Sequence, residues 1–286
     1  MVALGAHAFL WSDHWGPDTA PRILRAAAEL GLDLVEVPLL RPDEVDAAAD
    51  RRAALDLGIR LTCSLGLPRE AALPDHPEAA EAHLGRALEV AAELGSSCLT
   101  GVTYAAIGGL SGAPPTEAEY AVLADSLRRV ARRAAELGLA LGLEPVNRYE
   151  THLLNTAAQG VALIERIGEP NVFLHLDSYH MNIEEKGMAQ PIRSSARHLG
   201  YVHLSESDRG LPGTGNVRWR ELFGSLAAIG YDGPLVYETF PHLHPDIARG
   251  LCVWRPVAPD PDALAREGLA FLRDEARRAG LLPADA

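Results

Sequence analysis

The stretch HLDSYHMN, residues 175–182, ends an apolar run on Asp177 and sets His180 three positions further on. An ionised carboxylate in an apolar strand is costly unless a partner compensates it. The same situation recurs along the chain: LGLEP delivers Glu144, YVHLSE delivers His203 and LVYETF delivers Glu238. Three carboxylates and one imidazole form a hard donor set suited to a divalent cation such as Mn²⁺, with Mg²⁺ or Co²⁺ as alternatives, and unsuited to a soft thiolate site. A dication among three carboxylates leaves a formal charge of about −1, which would answer the burial of Asp177. A lone acid at a strand end more often pairs with an arginine, and a lone strand histidine is usually a hydrogen-bonded core residue. His175 is read in that second way, in a layer below Asp177. Four such groups on consecutive strands favour a metal site over four separate coincidences. Glu150, His180 and Arg209 follow at short offsets and suit the hydroxyl and carbonyl oxygens of a small polyol. Asn147, Ser205 and Glu206 lie nearby and receive no role.

These positions require a scaffold that brings successive strand ends to one rim. A phrase recurs that supplies it: a helix rich in Ala, Leu, Glu and Arg, then Gly, then a short apolar strand. It appears in AAELGLDLVEVPL, ALDLGIRLTCSL, VAAELGSSCLTGV, AAELGLALGLEP, IERIGEPNVFLHLD, ARHLGYVHLSE and LAAIGYDGPLVYETF. Those helix residues are good helix formers, and the glycine suits a left-handed position just past a helix end. Strands apolar on both faces are those of a buried parallel sheet. With a first strand around Leu4 to Phe9, the pattern gives eight strands and predicts a (β/α)₈ TIM barrel spanning residues 1–286 as a single domain. An open doubly wound sheet is disfavoured, because no glycine-rich phosphate loop follows an early strand; GTG at 213–215 comes late. In a barrel, the C-terminal strand ends are where active sites lie.

The bulk properties narrow the chemistry further. The net charge of −13 disfavours nucleic acid and anionic membranes as partners. No apolar run reaches the ~18 residues a membrane span needs, and the N-terminus reads as lacking a signal peptide, so a cytoplasmic location is expected. Cys63, Cys98 and Cys252 are scattered and read as reduced thiols. Lys186 is the only lysine and sits in a polar stretch after NIEE, which argues against Schiff-base aldolase chemistry.

The segments LEPVNRYE, HLDSYHMNIEE, HLSESDRGLPGTGNV, IGYDGPLVYETF and, more weakly, LCVWRP together resemble the ketose 3-epimerases, the D-tagatose, D-allulose and L-ribulose 3-epimerase group of the xylose-isomerase-like barrels. The resemblance runs over most of the chain and is densest from Gly142 to Phe240. It implies that Glu144, Asp177, His203 and Glu238 hold a catalytic Mn²⁺ or similar ion, and that Glu150, His180 and Arg209 bind the O1–O2 end of a ketose. It implies Trp15 in the wall over the sugar and Phe240 near its far end. It further implies interconversion of C3 epimers, with Glu144 and Glu238 as acid and base on opposite faces, and a homodimer or homotetramer. One departure stands out: members of the group often carry a tryptophan after the fourth strand, where this chain reads GVTYAAIGGL. A looser or differently lined distal pocket is expected there. The alternatives are an aldose–ketose or hydroxypyruvate-type isomerase on the same barrel, an endonuclease supported only by Arg128, Arg129, Arg132 and Arg133, and a non-catalytic sugar-binding barrel.

Overall fold

The computed structural model of the protein describes residues 2–242 and 245–283. Eight parallel strands close in chain order: β1 (Ala3–His7), β2 (Leu34–Pro38), β3 (Arg60–Gly66), β4 (Cys98–Val102), β5 (Ala140–Leu143), β6 (Val172–Asp177), β7 (Leu199–Leu204) and β8 (Pro234–Tyr237), with β8 pairing back onto β1. Helices α1 (Ala20–Glu29), α2 (Ala47–Asp56), α3 (Pro77–Leu94), α4 (Glu117–Glu136) and α5 (Ala157–Ile167) follow the first five strands. Two short helices, α6 (Ser178–Glu184) and α7 (Ala189–Ser194), follow β6; α8 (Trp219–Ala228) follows β7. After β8 come α9 (Pro245–Leu251) and α10 (Pro261–Arg278). This is the (β/α)₈ barrel that the sevenfold phrase and the strand before it predict. The first strand stops at His7 and not at Phe9, because His7 Nδ1 accepts the Phe9 N–H at 3.1 Å and turns the chain into a short 3-10 helix.

The recurrent phrase explains the packing. Every residue of β2 and β4 is buried, as strands covered on both faces must be. Leu24 of α1, Leu88 of α3 and Leu127 of α4 are fully buried, and each such side chain contributes ~1.5–3 kcal/mol. Gly95 and Gly168 end α3 and α5 at φ 78° and 72°, a left-handed conformation that costs glycine nothing. Thr116 with Glu119, and Thr156 with Gln159, form capping boxes that start α4 and α5.

The arginine cluster on α4 is neutralised on the surface. Arg129 pairs with Glu81, Arg132 with Glu169, Arg133 with Glu89 and Glu136, and Arg128 with Asp125. That is a solvated helix face and not a basic groove, so the endonuclease alternative loses its support. Among the described residues no helix is long and apolar enough to cross a membrane.

Candidate active site

The last four strands deliver their polar ends to one point. Glu144 follows β5, Asp177 ends β6, His203 is the penultimate residue of β7 and Glu238 follows β8. Register keeps Asp177 and His203 level, since they are paired partners across β6 and β7. His203 Nδ1 lies 3.6 Å from Glu144 Oε1 and 3.3 Å from Glu238 Oε1. Asp177 is fully buried; its Oδ1 caps α6 by accepting the Tyr179 N–H at 2.7 Å, and its Oδ2 accepts from Arg209 Nη1 at 2.7 Å. The same guanidinium nitrogen donates to Glu238 Oε2.

His203 shows what the cluster asks for. Its Nε2 donates to Glu36 Oε2 at 2.7 Å, and an ionised carboxylate only accepts, so that nitrogen carries the ring proton. Nδ1, the other ring nitrogen, is buried without a hydrogen-bond partner between Glu144 and Glu238. Against burial, which lowers it, the charges of Glu36 and Glu238 raise His203 well above the ordinary imidazole range. A bound dication would take the place of the Nδ1 proton between these two carboxylates. Grouped ligand atoms within 4.8 Å of one another occur as Asp177–His203–Glu238, Glu144–Asp177–His180 and Glu144–His175–His203. These buried groups fit a divalent cation by donor type and by the orphaned nitrogen.

Electrostatics points the same way. Burial, reinforced by Glu238 and Asp177 against the pull of His203, raises Glu144 to about 8. Burial likewise raises Glu150 to about 7, opposed by Arg209. Burial lowers His180 to about 3, so its ring is neutral. His180 Nδ1 accepts the Asn147 N–H at 3.1 Å, which leaves the ring proton on Nε2, 3.6 Å from Asp177 Oδ2, 3.9 Å from Glu144 Oε1 and beside Arg209 Nη2 at 3.3 Å. Arg209 adopts φ 63°, held by its N–H to Glu206 O and by the Thr239 hydroxyl on its carbonyl. Glu206 in turn accepts from the N–H groups of Ser207, Gly213 and Val217 and from Trp219 Nε1. The segment carrying Arg209 is thus pinned at a buried carboxylate.

A cavity of about 400 Å³ opens over this cluster. Glu144, Glu150, His180, His203, Arg209, Glu238 and Phe240 line it, while Asp177 lies just behind Arg209. The opposite wall is Phe9, Leu40, Leu65, Val102, Ala106 and Ile107. Trp15 is buried and is not among the residues lining this cavity; its Nε1–H donates to Asp50 of α2 at 2.8 Å, and Phe9 is an aromatic side chain on that wall. His175 is a core residue beneath the cluster, with Nδ1 3.1 Å from Thr100 Oγ1. Ile107 stands in the loop after β4, within the segment GVTYAAIGGL that lacks a tryptophan. Glu36 and His7 escaped the sequence reading, although Glu36 lies inside the apolar LVEVP and carries the same signal as Asp177.

The profile of the xylose isomerase-like TIM barrel family matches residues 24–275. A ketose 3-epimerase of Arthrobacter globiformis is 40% identical over 280 residues, covering 96% of either chain. An L-ribulose 3-epimerase of Methylomonas sp. (strain DH-1) is 39% identical over 275 residues, 94% of this chain and 96% of that one. The crystal structure of a D-allulose 3-epimerase from Methylomonas sp. in complex with D-allulose superposes with a TM-score of 0.91 at 38% identity, over 96% of this chain and 97% of that one. The chain belongs to the xylose isomerase-like TIM barrel family and, with sugar epimerases matching along nearly its whole length, is an isomerase of the epimerase type.

Proposed function

We propose that the protein interconverts C3 epimers of a free ketose, such as D-fructose and D-allulose, D-tagatose and D-sorbose, or L-ribulose and L-xylulose. The observation carrying this reading is that two carboxylates from β5 and β8, Glu144 and Glu238, approach one His203 nitrogen within 3.6 Å at the floor of one cavity. Epimerisation needs a group on each face of the carbon: one takes its proton, the other returns a proton from the far side. Glu144 and Glu238 supply that pair, each acting as base in one direction and acid in the other. His180, through Nε2–H, and Arg209 orient the O1–O2 end of the sugar, and Glu150 accepts from a hydroxyl while Asn147 Nδ2 steadies it at 2.8 Å. Phe9, Ile107 and Phe240 keep water from the reacting carbon.

Glu144, Asp177, His203 and Glu238 would hold the divalent cation, Mn²⁺ in this proposal. When bound, it supplies Lewis-acid stabilisation of the charge that develops on the sugar oxygens as the C3 proton leaves. The test is chromatography of products from a ketose panel with Mn²⁺ and with excess chelator. Formation of the C3 epimer that stops with chelator supports the proposal; an aldose product, or turnover indifferent to chelator, contradicts it.

A further inference from the structure

We propose that Glu36 is the positioning residue for His203, fixing through a cross-barrel hydrogen bond which imidazole nitrogen is offered to the divalent cation; this rests on the metal site proposed above. Glu36 sits on β2 and His203 on β7, on different sides of the barrel interior, and both are buried. One carboxylate oxygen of Glu36 accepts from His203 Nε2 and from the Tyr201 hydroxyl, each at 2.7 Å. Tyr201 is itself held by Thr62, 2.8 Å away across the barrel. The other oxygen, Oε1, has no hydrogen-bond partner and faces His7 Nε2 at 3.6 Å. His7 cannot turn away, because its Nδ1 already accepts the Phe9 N–H.

A fully buried carboxylate with two short hydrogen bonds needs a reason to be charged there. Burial alone would favour an apolar residue at this place in β2. What Glu36 does for the site is specific. By binding Nε2–H it leaves Nδ1 as the donor nitrogen, it sets the ring plane, and its negative charge makes the imidazole a stronger ligand. The pairing is unavailable to the neighbouring strand residues Val35 and Val37, which carry no polar side chain.

The test compares Mn²⁺ dissociation constants, read from the free-ion EPR signal, for wild type, Glu36→Gln, Glu36→Ala and Tyr201→Phe. Losing an outer carboxylate of this kind weakens metal binding ~10–100-fold, so the glutamine variant should lose about tenfold and the alanine variant more. Tyr201→Phe removes the other donor and leaves the Glu36–His203 bond, so it should stay within about twofold. A second readout needs no activity: in ¹⁵N-histidine-labelled protein, the downfield Nε2–H proton of His203, assigned by its absence in His203→Gln, should be present in wild type and Tyr201→Phe and exchange away in Glu36→Ala. Wild-type affinity in Glu36→Ala overturns the positioning role, and wild-type affinity in Glu36→Gln alone overturns the contribution of its charge. If wild type itself fails to bind Mn²⁺, the metal site falls instead, and the histidine proton still reports whether Glu36 orients the ring.

Discussion

Strands β5 to β8 and strands β1 to β4 meet around one cavity and bring it opposite kinds of side chain. The first group contributes Glu144, Asp177, His203 and Glu238, with Glu150 and Arg209 from the loops that follow and His180 from α6. The second contributes mostly shape: Phe9, Leu40, Leu65, Val102 and Ile107, with His7, Ser64 and Arg69 as its polar exceptions. A substrate held between them would be gripped through oxygens at one end and by apolar contact at the other. On the proposed function, the charged half would govern the chemistry and the apolar half the fit.

The largest effect that could break this division concerns the opposed pair. Glu144→Gln or Glu238→Gln should lower kcat by at least ~10²–10⁴-fold, the usual worth of a positioned proton donor or acceptor, while circular dichroism and Tm show the barrel intact. A variant that keeps near wild-type turnover would remove that residue from the proton path. Next is the ion. Raising Mn²⁺ to 100-fold above its dissociation constant should stabilise the fold by about 2.7 kcal/mol relative to chelator-treated protein, seen as a higher Tm. Equal melting curves would mean no site for the ion on the charged side.

The apolar side should respond more gently and in a different parameter. Ile107→Ala removes hydrophobic contact at the wall, and ~1–3 kcal/mol is the range for small changes in such a pocket. It should raise KM severalfold for a hexulose and leave kcat within about twofold, the pattern of uniform binding loss. A fall in kcat without a rise in KM would place Ile107 with the chemistry. The smallest kinetic effect is expected at Trp15→Phe. It deletes the hydrogen bond to Asp50, worth about 1 kcal/mol or more to a charged acceptor, so Tm should fall slightly while kcat and KM hold. Changed kinetics there would return Trp15 to the cavity.

The same division governs what could be read before any coordinates. The barrel was legible because the helix–Gly–strand phrase repeats, and the charged half because Asp177 and Glu238 stand out against apolar strands. Position within the barrel then follows from strand ends alone. The neighbour of Trp15 was not legible, because an aromatic side chain in a loop carries no signal of what it will face; its hydrogen bond is to Asp50, 35 residues away in sequence. The wall residues Phe9 and Leu65 look like any other core hydrophobes. Glu36 was legible in principle, but its partner His203 is 167 residues distant, and only closure of the barrel brings the two together. The loop geometry that sets Arg209 at a positive φ is invisible in HLSESDRG, since it depends on Glu206 gathering four donors.

In the proposed reaction Glu144 and Glu238 exchange the proton at C3. Incubation of Mn²⁺-loaded protein with D-fructose in D₂O, followed by removal of the metal and NMR of the sugars, locates the label. Deuterium at C3 in the recovered ketoses, with D-allulose formed, is the expected result. Deuterium at C1 with an aldose product would contradict it, because the transferred hydrogen would then lie between C1 and C2 and the two carboxylates would not be acting on opposite faces of C3.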